Sequence, residues 1–90
     1  MKTLQVHYEG RVQGVGFRYT ARRIASGYDV SGTVRNLPDG RVELQVRGDR
    51  GEVDAFLQEI RESTLAGHIT AEHTSPIEVS NPFKGFQILS

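Results

Sequence analysis

The chain has 90 residues, with 11 Lys+Arg against 11 Asp+Glu and a formal net charge of zero. That length predicts one domain, 1–90, with a core just large enough to fold, and the neutral balance argues against a general nucleic-acid or membrane-surface binder, which needs a basic excess. There is no cysteine, which excludes disulfides, thiolate metal sites and a cysteine nucleophile, and fits a cytoplasmic, reducing compartment.

Leu4, Val6 and Tyr8 alternate with Gln5, His7 and Glu9, so a half-buried strand is predicted over residues 3–9. No apolar signal core opens the chain, and no stretch reaches transmembrane length. The run Gly10-Arg11-Val12-Gln13-Gly14-Val15-Gly16-Phe17-Arg18 follows. Its glycines permit tight turns that leave backbone N–H groups uncovered. Phe17, Ala21, Ile24, Ala25 and Tyr28 stand at helical spacing, which predicts a helix over 17–27 with Arg18 in its first turn. Exposed amides, a helix N-terminus and a guanidinium at one place make an anion site, and phosphate is the usual anion there. Seven basic residues against four acids in residues 1–45 suit that ligand.

Gly27, Asp29 and Gly32 mark the exit from this helix. Residues 33–37 read as a second strand, Pro38-Asp39-Gly40 as a tight turn, and Val42, Leu44 and Val46 as the apolar side of the returning strand. Residues 33–47 are thus a hairpin. Asp49 followed by Glu52 resembles a capping box. Val53, Phe56, Leu57 and Ile60 then define an amphipathic helix ending near Ser63. Residues 64–67 read as a loop, and 69–79 contain a strand that Pro76 interrupts. Asn81-Pro82 reads as a turn, and Phe83, Phe86, Ile88 and Leu89 as a last strand filling the core.

The order is the βαββαβ, ferredoxin-like pattern: an α+β sandwich, with two helices on one face of an antiparallel sheet. A crossover helix joins the first two strands, so they run parallel with another strand between them. Their carboxyl ends then lie together, and the glycine loop and Asn36 face one pocket although distant in sequence.

Competing motifs fail on their residues. A Walker A loop needs Gly-Lys-Ser/Thr, and a dinucleotide fingerprint needs glycine where Tyr19 stands. An RNA-binding box needs aromatics on a central strand, and these lie at a loop and helix start. The loop of a cysteine phosphatase needs cysteine where Val12 stands. His7, His68 and His73 lack metal-ligand spacing with carboxylates.

The nine-residue loop, the run Gly32-x-Val34-x-Asn36-x-x-Asp39-Gly40-x-Val42-Glu43 and the closing Gly85-Phe86-Gln87-Ile88 resemble the acylphosphatase family over nearly the whole chain. The resemblance implies hydrolysis of the carboxyl–phosphate bond of acyl phosphates, with no metal and no cofactor. It implies that Arg18 binds phosphate, that Asn36 positions the attacking water, and that the amides of Gln13, Gly14, Val15, Gly16, Phe17 and Arg18 form the phosphate cradle. The partners it implies are a small acyl phosphate and inorganic phosphate as product and competitive inhibitor, on a monomer that contacts neither nucleic acid nor membrane. The chain departs from the family pattern at Asp29, where a helix-closing glycine is expected, and at Thr33, where an aromatic is common.

The residues suit that chemistry. A carboxylate leaving group, with a conjugate-acid pKa of about 4, needs no general acid. Fixed positive groups and positioning then carry phosphoryl transfer. Two readings from other classes stay open: a non-catalytic module that binds phosphate or acyl phosphate, and a ferredoxin-like RNA binder.

Overall fold

A computed structural model describes residues 1–81 and 83–90. The order is β1 (Lys2–Gly10), α1 (Phe17–Ala25), β2 (Val30–Asn36), β3 (Val42–Gly48), α2 (Arg50–Glu62), a short 3-10 turn at Ala66–His68, β4 (Ile69–Pro76) and β5 (Phe86–Leu89). The strands form one sheet in the order β4-β1-β3-β2-β5. This is the expected ferredoxin-like α+β arrangement with a fifth strand added. Among the described residues no helix is long and apolar enough to cross a membrane.

Period-2 alternation places Val6, Tyr8, Val34, Val42, Leu44 and Val46 on one face of the sheet. There they pack with Phe17, Ala21, Ile24 and Ala25 of α1 and Val53, Phe56, Leu57 and Ile60 of α2. Each large side chain so buried contributes about 1.5–3 kcal/mol of transfer free energy. Phe56 joins the two ends of this layer, meeting the Tyr28 ring at 6.3 Å and the Phe86 ring at 5.6 Å between centroids.

The sheet is mixed rather than antiparallel throughout, because β5 runs parallel to β2. Its direction follows from the topology. β4 is antiparallel to β1 and lies at one edge; the chain then reverses and enters beside β2 at the other edge. β5 is also shorter than expected and only partly buried, and Phe83 lies outside it. The expected Asn81-Pro82 turn includes Pro82, which is outside the described residues. Pro76 closes β4 without disrupting it, because an edge strand has one side free of partners.

Other expectations shift locally. The first helix ends at Ala25, where Ser26 caps it through bonds to Arg22 and Arg23 carbonyls. Gly32 is inside β2 rather than at a helix exit; a side chain there would collide with the Gln45 backbone. Asp29 keeps an ordinary negative φ, so no left-handed residue replaces the expected glycine. Asp49 does occupy the N-cap of α2, but its side chain makes no capping bond. Glu52 turns instead to the Asp29 amide, accepting a 2.7 Å hydrogen bond that ties α2 to the start of β2.

The other face of the sheet is polar. His7 and Arg35 are the cross-strand neighbours of Glu43. Arg35 Nε donates to Glu43 Oε1 at 3.0 Å. Arg41 Nη1 lies 3.0 Å from His7 Nδ1, and a guanidinium only donates, so Nδ1 accepts and His7 Nε2 donates to Glu43 Oε2 at 3.2 Å. Burial pushes the Glu43 carboxyl up, but the Arg35 and His7 contacts outweigh it and hold the group below the ordinary glutamate value of 4.5. A depressed folded-state pKa stabilises the fold above the ordinary value, and that stability is lost as pH falls through the folded-state value. Urea unfolding of Glu43→Gln is therefore expected to show a loss of about 1–3 kcal/mol at pH 7. The gap to the wild type should narrow on acidification below 4.5. A gap of equal size at pH 7 and in acid would show that the carboxylate charge contributes nothing.

Candidate functional site

The loop between β1 and α1 starts from an irregularity. The β1–β4 register shifts between Glu9 and Gly10, and the Arg11 amide donates to the His68 carbonyl at 2.9 Å. Val12 then turns inward and is fully buried, while Val15 packs part-buried against the core. These two anchors leave Gln13, Gly14 and Gly16 at the surface. Gly14 and Gly16 take left-handed φ of 76° and 78°, which costs an L side chain roughly 1–2 kcal/mol. Open space lies where a β-carbon would be at either position. The glycines thus serve the backbone path and keep the space above it clear.

Gly16 is also the N-cap of α1 and has no side chain with which to cap it. No acidic residue lies in the first turn. Among the described residues, no backbone carbonyl outside the regular elements accepts from the amides between Gln13 and Arg18. A nine-residue helix therefore presents its positive end, with uncommitted amides, at the loop.

Arg18 and Asn36 both reach this place. A pocket of about 200 Å³ is lined by Val12, Gly14, Gly16, Phe17, Arg18, Tyr19 and Asn36. Phe17 is held from below by the buried Tyr8 ring, 4.9 Å away between centroids. Arg18 is half-buried, and its Nη1 donates to the Leu89 carbonyl of β5 at 3.1 Å. Asn36 is the last residue of β2 and lies opposite Val42 of β3. Tyr8 lies opposite the same Val42 on the other side. Directly opposed residues share a face, so Asn36 belongs to the helix-covered side with Val34 and Val42.

Of the six residues expected in the cradle, Gly14, Gly16, Phe17 and Arg18 line the pocket, while Gln13 and Val15 do not. Val15 is directed to the core. Gln13 does something the sequence did not suggest: its Nε2 donates to the Leu37 carbonyl at 2.8 Å and to the Arg41 carbonyl at 2.9 Å. Leu37 and Arg41 are themselves paired, the Leu37 amide donating to the Arg41 carbonyl at 2.8 Å. Gln13 therefore ties the loop to the β2–β3 turn, directly after Asn36. Within that turn, Arg41 binds the Asp39 carboxylate through both its backbone amide and its Nε, which holds Asp39 below the usual aspartate range. Val12 and Tyr19 line the pocket without having been expected there; an exposed aromatic such as Tyr19 on a helix breaks no periodicity. Among the described residues, no group of three or more His, Asp or Glu side chains is arranged to hold a metal ion.

The family model for acylphosphatase matches residues 4–88. A protein named acylphosphatase from Chlorobaculum tepidum is 40% identical over 89 residues, spanning 99% of this chain and 97% of that protein. One from Methylococcus capsulatus is 43% identical over 89 residues, again spanning 99% and 97%. The crystal structure of acylphosphatase from Bacillus subtilis superposes with a TM-score of 0.89 at 28% identity, covering 100% of both chains.

The Gln13 tie has a measurable weight. Gln13→Ala removes both bonds and is expected to lower unfolding free energy by about 1 kcal/mol, less than two buried bonds would cost because this site is exposed. Gln13→Glu keeps the shape but sets a carboxylate against two carbonyls, and should cost more in urea denaturation at pH 7. Wild-type stability in both variants would show that the tie is incidental.

Proposed function

The chain belongs to the acylphosphatase family and hydrolyses acyl phosphates, and on that footing we propose how its own residues divide the work. The phosphoryl group sits on the amides from Gln13 to Arg18, and the Arg18 guanidinium grips two of its oxygens. Asn36 offers a carbonyl acceptor and amide donors to hold a water in line with the scissile bond. The observation that supports this reading best is the shared pocket: Arg18 and Asn36, from a helix and a strand, line one cavity together with Gly14 and Gly16 of the loop.

The reaction balances without a dedicated acid or base. The water oxygen bonds to phosphorus as the bond from phosphorus to the acyl oxygen breaks. That oxygen leaves with the electron pair as a carboxylate, a leaving group with a conjugate-acid pKa of about 4. One water proton passes to a phosphoryl oxygen, giving dihydrogen phosphate. Charge on the phosphoryl oxygens is met by amides and a guanidinium already in place, so little reorganisation accompanies the transition state. Inorganic phosphate, which fits the same cradle, competes with substrate, and the 90-residue unit acts as a monomer in the cytoplasm.

Hydrolysis of benzoyl phosphate in the presence of a chelator tests the assignment. Arg18→Ala is expected to lower kcat/KM by about 100-fold or more. Asn36→Ala should lower kcat by a similar factor while KM changes little, since a group acting on the water does not hold the substrate. A rise in KM with kcat retained in Asn36→Ala would reassign that residue to binding. Loss of wild-type activity in chelator, restored by added metal, would overturn the metal-free route.

A further inference from the structure

Four arginines surround the loop and α1: Arg11, Arg18, Arg22 and Arg23. Among the described residues none of them lies within 4.0 Å of a carboxylate, whereas Lys2, Arg35, Arg41, Arg50 and Arg61 all do. Arg18 is assigned above to the phosphoryl group. Arg22 and Arg23 stand in the last turn of α1, where basic side chains favour the negative end of a helix. That bland role accounts for their charge but not for their neighbour. Tyr19 is 69% exposed, and the Arg22 guanidinium lies over its ring, 5.3 Å from the centroid.

Tyr19, Arg22, Arg23 and Ser26 recur at helical spacing along one stripe of α1, away from the core-facing Phe17, Ala21, Ile24 and Ala25. With Thr20 they line a shallow groove of about 510 Å³. Tyr19 lines this groove and the phosphate pocket alike, so it is the boundary between them. Asn36 lies on the sheet side of that pocket and Tyr19 on the helix side. In an in-line displacement the leaving group departs away from the attacking water. A water held at Asn36 on the strand wall fits an acyl group that leaves along the helix wall, where Tyr19 stands.

We infer that the Tyr19–Arg22–Arg23 stripe of α1 is the subsite for the acyl half of the substrate, and that it favours acyl groups carrying a second anionic group over neutral ones. The inference rests on the assignment of Arg18 and Asn36 above. Tyr19 supplies a flat apolar surface beside the scissile bond, and the Arg22 guanidinium, oriented by that ring, meets the distal anion with Arg23.

The test compares benzoyl phosphate with 4-carboxybenzoyl phosphate, which share a ring and differ by one distal carboxylate. Rates are divided by the uncatalysed rate of each compound, at an ionic strength near 0.15 M to suppress long-range attraction. The wild type is expected to prefer the carboxylated substrate by about fivefold in kcat/KM. In Arg22→Gln/Arg23→Gln that ratio should fall towards one through a higher KM for 4-carboxybenzoyl phosphate. Arg47→Gln, which removes a charge at the opposite end of the sheet beside Thr3 and Ser31, should keep the wild-type ratio. A wild-type ratio at or below one, or an unchanged ratio in the double variant, overturns the subsite. Failure of the wild type to hydrolyse benzoyl phosphate at all would instead overturn the underlying assignment.

Discussion

β3 runs antiparallel to both of its neighbours, and through Val42 it sets the two halves of the pocket against each other. Tyr8, two residues before the glycine loop begins, and Asn36, at the end of β2, are both opposite that one valine. Strands in a sheet are about 4.8 Å apart, so the two positions are held about 10 Å from each other. A slip of one residue in the β2–β3 pairing would turn Asn36 to the polar face and away from α1, and the same slip in the β1–β3 pairing would turn Tyr8 there. What resists the slip is burial: Val42, Leu44 and Val46 are wholly inside, and Glu43 on the opposite face is held by partners from both adjacent strands. The register is thus specified from both faces of the sheet at once.

Side-chain bonds then refine what the sheet positions coarsely. The loop is connected to the β2–β3 turn by Gln13, and Arg18 to β5 by its bond to Leu89. The turn is braced by Asp39 and Arg41, and Arg41 continues through His7 to Glu43 and Arg35. A line of polar contacts therefore extends from the pocket's rim across the open face of the sheet. Such ties limit the settling that catalysis by fixed dipoles would otherwise require, since a cradle of backbone amides works only if the amides are already aimed.

Much of this is legible in the sequence. Alternation in Leu4–Tyr8 and Val42–Val46, the glycine loop and the apolar stripe of Val53–Ile60 located the strands, the crossover and the second helix, because burial on one face imposes those periods. The convergence of the loop with Asn36 followed from the crossover rule. The family resemblance supplied the chemistry. What stayed hidden lacks a period. β5 is four residues long, and its direction depends on a connection rather than on its own side chains. Gly32 reads as a breaker in one dimension, and only the proximity of the Gln45 backbone explains it. Glu52 looked like half of a capping box, yet the Asp29 amide, 23 positions away, attracts it instead. The Gln13 side chain binds two remote carbonyls, and such a contact leaves no local signature in the sequence.

The strand order also carries a meaning for folding. Among the described residues only β2 and β3 are sheet neighbours joined by a tight turn; β1 meets β3 across α1 and β2, and β4 across α2 as well. Closing those longer segments costs more chain entropy than closing the β2–β3 hairpin, whose contacts are local. The glycine loop hangs from β1, and Asn36 from β2. No fragment that lacks the β1–β3 pairing can bring the two together, however much helix or hairpin it contains. The pocket consequently exists only where that pairing exists, and a chain in which it has not formed carries the residues of the site without the site itself.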